Sequence, residues 1–271
     1  MGATEVAAGV DDGDGHVGRG RGQLGTLAPQ GTADGLLNRH LTTRMATHSD
    51  QIVPWGRSYN EYCLMFSLSG QDLSGGVLDC GGGPASFTAE LSTFGHRAVS
   101  VDPVYAYSGS EIRARFEAAA EPMLAQVRAT PDDWTWSYHR DPDHLLANRR
   151  AALESFLADY DSGLRDCRYV VGELPSLPFA SGSFRLAVCS HLLFLWSALL
   201  SGTFHIESLR ELCRVAYEVR VFPLLTLRRE PSPHLAAVRS AIEADGGTSE
   251  VVRVNYELQR GGNQMLRVFR A

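Results

Sequence analysis

The sequence predicts an α/β fold: a doubly wound, mostly parallel seven-stranded sheet with a C-terminal antiparallel hairpin and an inserted helical cap. Three observations carry this. Short apolar runs at Val77 to Cys80, Ala98 to Asp102, Tyr169 to Val171, Leu186 to Cys189 and Glu218 to Phe222 alternate with stretches of helical periodicity, the pattern of βαβ units. A glycine-rich break, Gly81 to Pro84, falls directly after the first run. Two further β-type runs, Val251 to Leu258 and Gln264 to Phe269, meet at Arg260-Gly261-Gly262-Asn263, a glycine-bearing turn suited to a hairpin.

The elements follow in order. The first 35 residues hold ten glycines and no apolar periodicity, the composition of a disordered tail, so the domain is expected over residues 36–271. Leu36, Leu37, Leu41 and Met45, then Tyr59, Tyr62, Met65 and Phe66, recur at helical spacing and predict two short helices ahead of the sheet. Val77 to Cys80, a helix over Ser86 to Gly95 and Ala98 to Asp102 form the first βαβ unit, whose crossover should be right-handed. Residues 108–165 exceed what a crossover needs; helical patterns at Glu111 to Val127 and His144 to Tyr160 predict the cap. Helices over Phe204 to Arg214 and Pro233 to Ala244, the latter stopped by Gly246-Gly247, complete the alternation.

Composition narrows the function. At 271 residues, 44% hydrophobic and 21% charged, the chain can bury a full core as one domain. A net charge of -6 and a pI near 5.8 give no cationic field for a polyanion, so a nucleic acid partner is not expected. No run reaches the roughly 18 apolar residues of a membrane span. The first ten residues lack the features of a secretion signal, and five cysteines without a Cys-x-x-Cys pair read as reduced thiols; the expected location is the cytoplasm. All 25 basic residues are arginine. Without lysine, Schiff-base chemistry, pyridoxal phosphate anchoring and a P-loop are excluded.

The glycine turn after a buried strand lets backbone approach a ligand closely. As a dinucleotide fingerprint it fails, because Gly81-x-Gly83 is followed by Pro84, Ala85 and Ser86 with no third glycine. Asp79, two residues before the turn, suits a ligand carrying an ammonium and a sulfonium. Asp102, ending the second strand, is placed to accept both hydroxyls of a ribose. Together they fit a cationic nucleoside.

Val77 to Phe87 resembles the first motif of class I S-adenosylmethionine (SAM)-dependent methyltransferases, and Val101-Asp102-Pro103 resembles their second. Gly172-Glu173-Leu174-Pro175, with Leu177-Pro178-Phe179 and Ser183-Phe184 after it, is similar to the segment that leads into strand four of that family. The resemblance implies a Rossmann-like fold and SAM as cofactor, held by Asp79, Gly81, Gly83, Pro84, Asp102, Pro103, Glu173 and Leu174. Cys80 and Pro84 depart from the family's turn. The runs Ile52 to Ser58, Leu174 to Phe179, Arg210 to Ala216 and Arg260 to Leu266 are similar to those of a little-characterised bacterial subgroup, which implies no substrate.

Ser190 and His191 end the fourth strand at the edge where open α/β sheets bind ligands, and His191 is a candidate base. Tyr59 and Tyr105 are further candidate bases. Arg57, in the segment before the sheet, is placed to pair with the cofactor carboxylate. Asp132, Asp133, Trp134, Trp136 and Tyr138 form an acidic and aromatic cluster suited to a cationic or planar acceptor. His205 and Glu207, two apart on a helix, face different ways, so no metal site is expected. The leading expectation is methyl transfer from SAM to a small-molecule acceptor. Intramolecular cyclisation of SAM with release of methylthioadenosine, or a non-catalytic SAM-binding module, are alternatives.

Overall fold

The structure is a computed structural model that describes residues 55–271. The tail over residues 1–35, the helix expected from residue 36 and the link at 52–54 lie outside the described residues.

Helix α1, Tyr59–Met65, starts where a capping box can close: Ser58 accepts from the Glu61 amide, and the Glu61 carboxylate accepts from the Ser58 amide at 2.9 Å. A single turn, α2 (Gly70–Leu73), follows with its own Ser69 and Asp72 box; four residues carry no readable period. Strand β1 (Val77–Cys80) is buried at every position because helices cover both sheet faces. Helix α3 (Phe87–Thr93) returns the chain to β2 (Ala98–Val101), which sets Asp79 opposite Ser100.

Two long helices, α4 (Gly109–Ala129) and α5 (Pro142–Arg165), fill the expected insertion before β3 (Tyr169–Val170). Their ion pairs, Arg113 with Glu154, Arg150 with Glu117 and Arg128 with Asp143, require an antiparallel arrangement. Helix α5 packs against both α3 and β3, so it also serves as the crossover layer, with α4 packed on it. Strand β4 (Phe184–Ser190), helix α6 (Gly202–Val215), strand β5 (Ala216–Phe222), helix α7 (Leu235–Ala244) and strands β6 (Thr248–Arg253) and β7 (Gln264–Phe269) complete the fold.

The sheet order is β3-β2-β1-β4-β5-β7-β6, with β7 antiparallel to both its neighbours. This is the doubly wound Rossmann-like sheet that the alternation predicts. Two-residue alternation along the strands divides the core. Leu78, Cys80, Ala187, Cys189 and Val219 meet α6 and α7 through Leu209, Leu212, Val238 and Ile242, while Val77, Leu186 and Val188 meet α1 and α3 through Tyr62, Met65, Phe87 and Leu91. A third cluster, including Ile112, Phe116, Leu153 and Phe156, joins α4 to α5.

The C-terminal pair differs from expectation. β6 ends at Arg253 instead of running to Leu258, and the chain reaches β7 by a long excursion in place of a tight turn. Tertiary bonds override the β pattern there. Tyr256 donates to Glu61 at 2.6 Å, the Leu258 carbonyl accepts from the Thr135 amide at 2.7 Å, and Arg260 donates to the carbonyls of Asp132 and Trp134. The acidic and aromatic stretch is spent on this same seam. Asp133 pairs with Arg229, and the Trp134 indole donates to Thr130.

Candidate functional site

The connections from β1 and β4 leave toward opposite edges of the sheet, so a crevice opens at the carboxyl ends of these two neighbours. The glycine turn lies there. Gly81 has φ +71°, and a Cβ on it would meet Leu192 at 2.7 Å. At Gly82 the requirement is close approach: a Cβ would sit 2.1 Å from Asp79 Oδ2 and 2.5 Å from Ser100 Oγ. The segment before α1 lies across the turn, with the Arg57 carbonyl accepting from the Ser86 amide at 3.1 Å and a Cβ on Gly56 only 2.0 Å from the Pro84 oxygen.

Asp79 lies beneath this turn, 1% exposed. Oδ1 accepts from Tyr62 at 3.1 Å, and Oδ2 lies 3.1 Å from Ser100 Oγ. Ser100 Oγ is 2.7 Å from the Tyr105 hydroxyl, which donates to the Gly83 carbonyl at 2.7 Å. Ser100 donates to the ionised carboxylate; with a proton on Oδ2 that bond reverses and the whole chain is satisfied, Asp79 donating to Ser100, Ser100 to Tyr105, and Tyr105 to the turn. Burial pushes the Asp79 carboxyl up to about 7, against the hydrogen bonds that Tyr62 and Ser100 donate to its ionised form. The acid supports the turn from below.

Asparagine offers the same pattern of one acceptor and one donor. At pH 4, Asp79→Asn is expected to stay within about 1 kcal/mol of wild type in urea unfolding, while Asp79→Ala, which strands Tyr62 and Ser100, costs about 2–3 kcal/mol. Between pH 4 and about 7 the native acid holds a proton that the unfolded chain has lost, so wild-type stability falls with rising pH there. The asparagine variant gains on wild type across that window and the gain levels off above it. A large loss in Asp79→Asn at pH 8 would remove the proton chain.

Asp102 caps a 3-10 turn, Pro103–Ala106; its Oδ1 accepts from the Val104 amide at 2.8 Å and its Oδ2 from the Gly83 amide at 2.9 Å. The glycine turn and the end of β2 are therefore one hydrogen-bonded unit. Burial pushes the Asp102 carboxyl up to about 6, the two amides oppose it, and the charge of Glu173 adds to the rise. Glu173 thus lies within electrostatic reach of Asp102, while its neighbour Leu174 is 5% exposed in the core.

Ser190 and His191 end β4 as expected, with Ser190 Oγ 2.9 Å from His191 Nδ1. His191 has φ +53°, a left-handed strain of about 1–3 kcal/mol that is held by its amide bond to the Phe222 carbonyl at 2.6 Å. Burial, then the charges of Arg57 and Arg149, hold its imidazole well below the usual histidine range, so the ring is neutral. Arg57 joins this group; its NH1 donates to the Trp55 carbonyl at 2.8 Å, and its buried Nε has no partner.

Two candidate bases fall elsewhere. The Tyr105 hydroxyl is committed to the Gly83 carbonyl, and burial holds it well above 10. Tyr59 stacks on Phe87 at 6.0 Å and meets exposed Phe94, on the outer side of α3, and burial pushes its hydroxyl up to about 12. Neither tyrosine is placed to take a proton.

An uncharacterized protein of Methanocaldococcus jannaschii is 30% identical over 216 residues, which cover 79% of this chain and 95% of that protein. The chain belongs to the family of that protein. No protein-family model matches the sequence. Among solved structures it is similar to magnesium protoporphyrin IX methyltransferase from Synechocystis with bound SAM, at 12% identity over 90% of this chain and 87% of that chain, TM-score 0.43. It is also similar to a putative SAM-dependent methyltransferase of Methanococcus maripaludis, at 11% identity over 91% and 98% of the two chains, TM-score 0.40.

A buried polar network beside the site escaped the sequence reading. Glu61, fully buried, accepts from Arg149 at 2.6 Å, from Tyr256 at 2.6 Å and from His139 Nε2 at 3.1 Å, besides the Ser58 bonds. Asn148 lies 3.0 Å from His139 Nδ1, which fixes the neutral tautomer with its proton on Nε2. The network binds α1, α5 and the C-terminal excursion together behind Arg57. Its visible signal was the Ser58 and Glu61 spacing, which reads as a capping box alone.

Proposed function

We infer that the chain is a SAM-dependent methyltransferase acting on a small-molecule acceptor. The observation that carries this is the 2.9 Å bond from the Gly83 amide to Asp102 at the sheet's switch point. It leaves Asp102 half-buried with two lone-pair sites unused, fitted to a pair of ribose hydroxyls. Arg57, half-buried with a buried, unpartnered Nε–H, fits the cofactor's carboxylate. When bound, SAM supplies a methyl group activated by its sulfonium. His191, neutral and oriented through Ser190, takes the proton of an acceptor nucleophile, and the segment at 55–58 excludes water over the turn. The net charge of -6 favours a small acceptor over a nucleic acid. Among the described residues no helix is long and apolar enough to cross a membrane.

The test is incubation of the purified chain with SAM, alone and with an acceptor panel, read by mass spectrometry beside calorimetric titration of SAM and S-adenosylhomocysteine (SAH). A methylated acceptor with SAH supports the reading. Methylthioadenosine formed from SAM alone would replace it with cyclisation, and absence of binding would overturn it. With an acceptor in hand, His191→Ala should lower kcat by about 10² to 10⁴ while SAH affinity holds; an unchanged kcat would remove His191 as the base.

A further inference from the structure

Among the described residues, five buried side-chain polar atoms have no hydrogen-bond partner, and three of them are N–H donors in one neighbourhood: Trp55 Nε1, Arg57 Nε and Arg149 Nε. The Arg149 guanidinium carbon is 5.9 Å from the Trp55 ring, Arg57 donates to the Trp55 carbonyl, and both arginines act on His191. Trp55 and Arg149 are 7% and 1% exposed. A buried donor left unmade costs about 1–3 kcal/mol, so three together call for an acceptor.

Glu61 cannot serve, because its two oxygens already take bonds from Arg149 NH1, Tyr256, His139 and Ser58. Two guanidinium cations against that one carboxylate, with His139 and His191 neutral, leave the cluster one positive charge in excess. A monoanion balances it, whereas a dianion would leave a buried negative charge. Position separates the donors. Arg57 is bonded to the glycine turn through its carbonyl, on the cofactor side, while Arg149 projects from α5 and Trp55 packs on Phe116 of α4 at 6.5 Å, on the side of the inserted helices.

We propose that the second substrate is an organic acid whose carboxylate is held by Arg149 Nε and Trp55 Nε1, beside His191. This rests on the methyltransferase reading for its cofactor. A carboxylate could also come from the cofactor itself, and the experiment separates the two sources. The full chain saturated with SAH is titrated calorimetrically with benzoate, phenylacetate, indole-3-acetate and hexanoate, each against its neutral amide.

At least one acid is expected to bind about tenfold or more tightly than its amide, and Trp55→Phe and Arg149→Lys to weaken that acid by about tenfold with SAH affinity held within about twofold. Trp55→Phe keeps an aromatic six-membered ring but removes the pyrrole N–H together with its ring; lost packing weakens acid and amide alike, so the acid-to-amide ratio reads the N–H, and it reports even where Arg149→Lys folds poorly. Acids no better than amides would overturn the proposal. So would variants that weaken SAH and leave the acid untouched, because the donors would then serve the cofactor's carboxylate. Failure of SAH to bind wild type falls on the methyltransferase reading alone, and the same titrations without SAH still decide the acid site.

Discussion

Asp102→Ala is expected to weaken SAH binding by about 100-fold or more. The carboxylate would lose two ribose hydroxyls, each bond to a charged group being worth about 1.5–3 kcal/mol, and its loss also strands the Gly83 and Val104 amides that shape the turn. The same residue sets a pH dependence. Burial pushes the Asp102 carboxyl up to about 6, and hydroxyl donors favour its ionised form. Binding therefore releases a proton below that pH, and affinity should fall by up to about tenfold per pH unit as the solution is taken below 6, with a plateau above. Calorimetry at pH 5, 6, 7 and 8 in two buffers measures both affinity and proton release. An Asp102→Ala variant with wild-type affinity would take this acid out of the site.

The sheet was legible because its signals are local. A four-residue buried strand with three apolar side chains, a glycine break and an acid at the next strand end all fall within residues 77–102, and parallel strands under two helical layers leave no polar alternation to confuse the reading. The length of β6 was not legible, since Val254 and Tyr256 look like strand residues until Glu61, nearly two hundred positions away, captures the Tyr256 hydroxyl. Asp79 was legible as an acid at the turn, but not its depth beneath it. Only the depth of the Gly82 backbone over its carboxylate separates an acid under the turn from one facing the ligand. Arg149 was hidden by its neighbour: it is buried and Arg150 is exposed, yet two adjacent arginines on a polar helix read alike as solvent-facing. Tyr59 and Tyr105 were proposed as bases from chain position, and no spacing reveals that the Tyr105 hydroxyl is bonded to the Gly83 carbonyl or that the Tyr59 ring packs between Phe87 and Phe94.

Glu61→Ala should be the most damaging single change to stability. Burial alone would push the Glu61 carboxyl up, but the charge of Arg149 and the hydrogen bonds of His139 and Arg149 outweigh it and hold the group well below the usual carboxylate range. Deleting it leaves the Arg149 cation buried without its counter-ion and strands the Tyr256 hydroxyl and His139, at a cost of about 3–5 kcal/mol in urea unfolding. The sign in pH follows from the lowered value. The ion pair's contribution is complete above about 4.5, where the unfolded carboxyl is ionised, and is lost as pH falls through the native value, so wild type and variant converge in acid. Removing both partners is gentler. Glu61→Leu combined with Arg149→Met replaces the pair by apolar volume and should recover most of the loss, giving a coupling energy of at least about 2 kcal/mol in a double-mutant cycle. Additive single changes would mean that the pair contributes nothing beyond its packing. A recovered fold that still binds SAH but has lost its preference for acids would separate the stabilising work of Arg149 from its work on the second substrate.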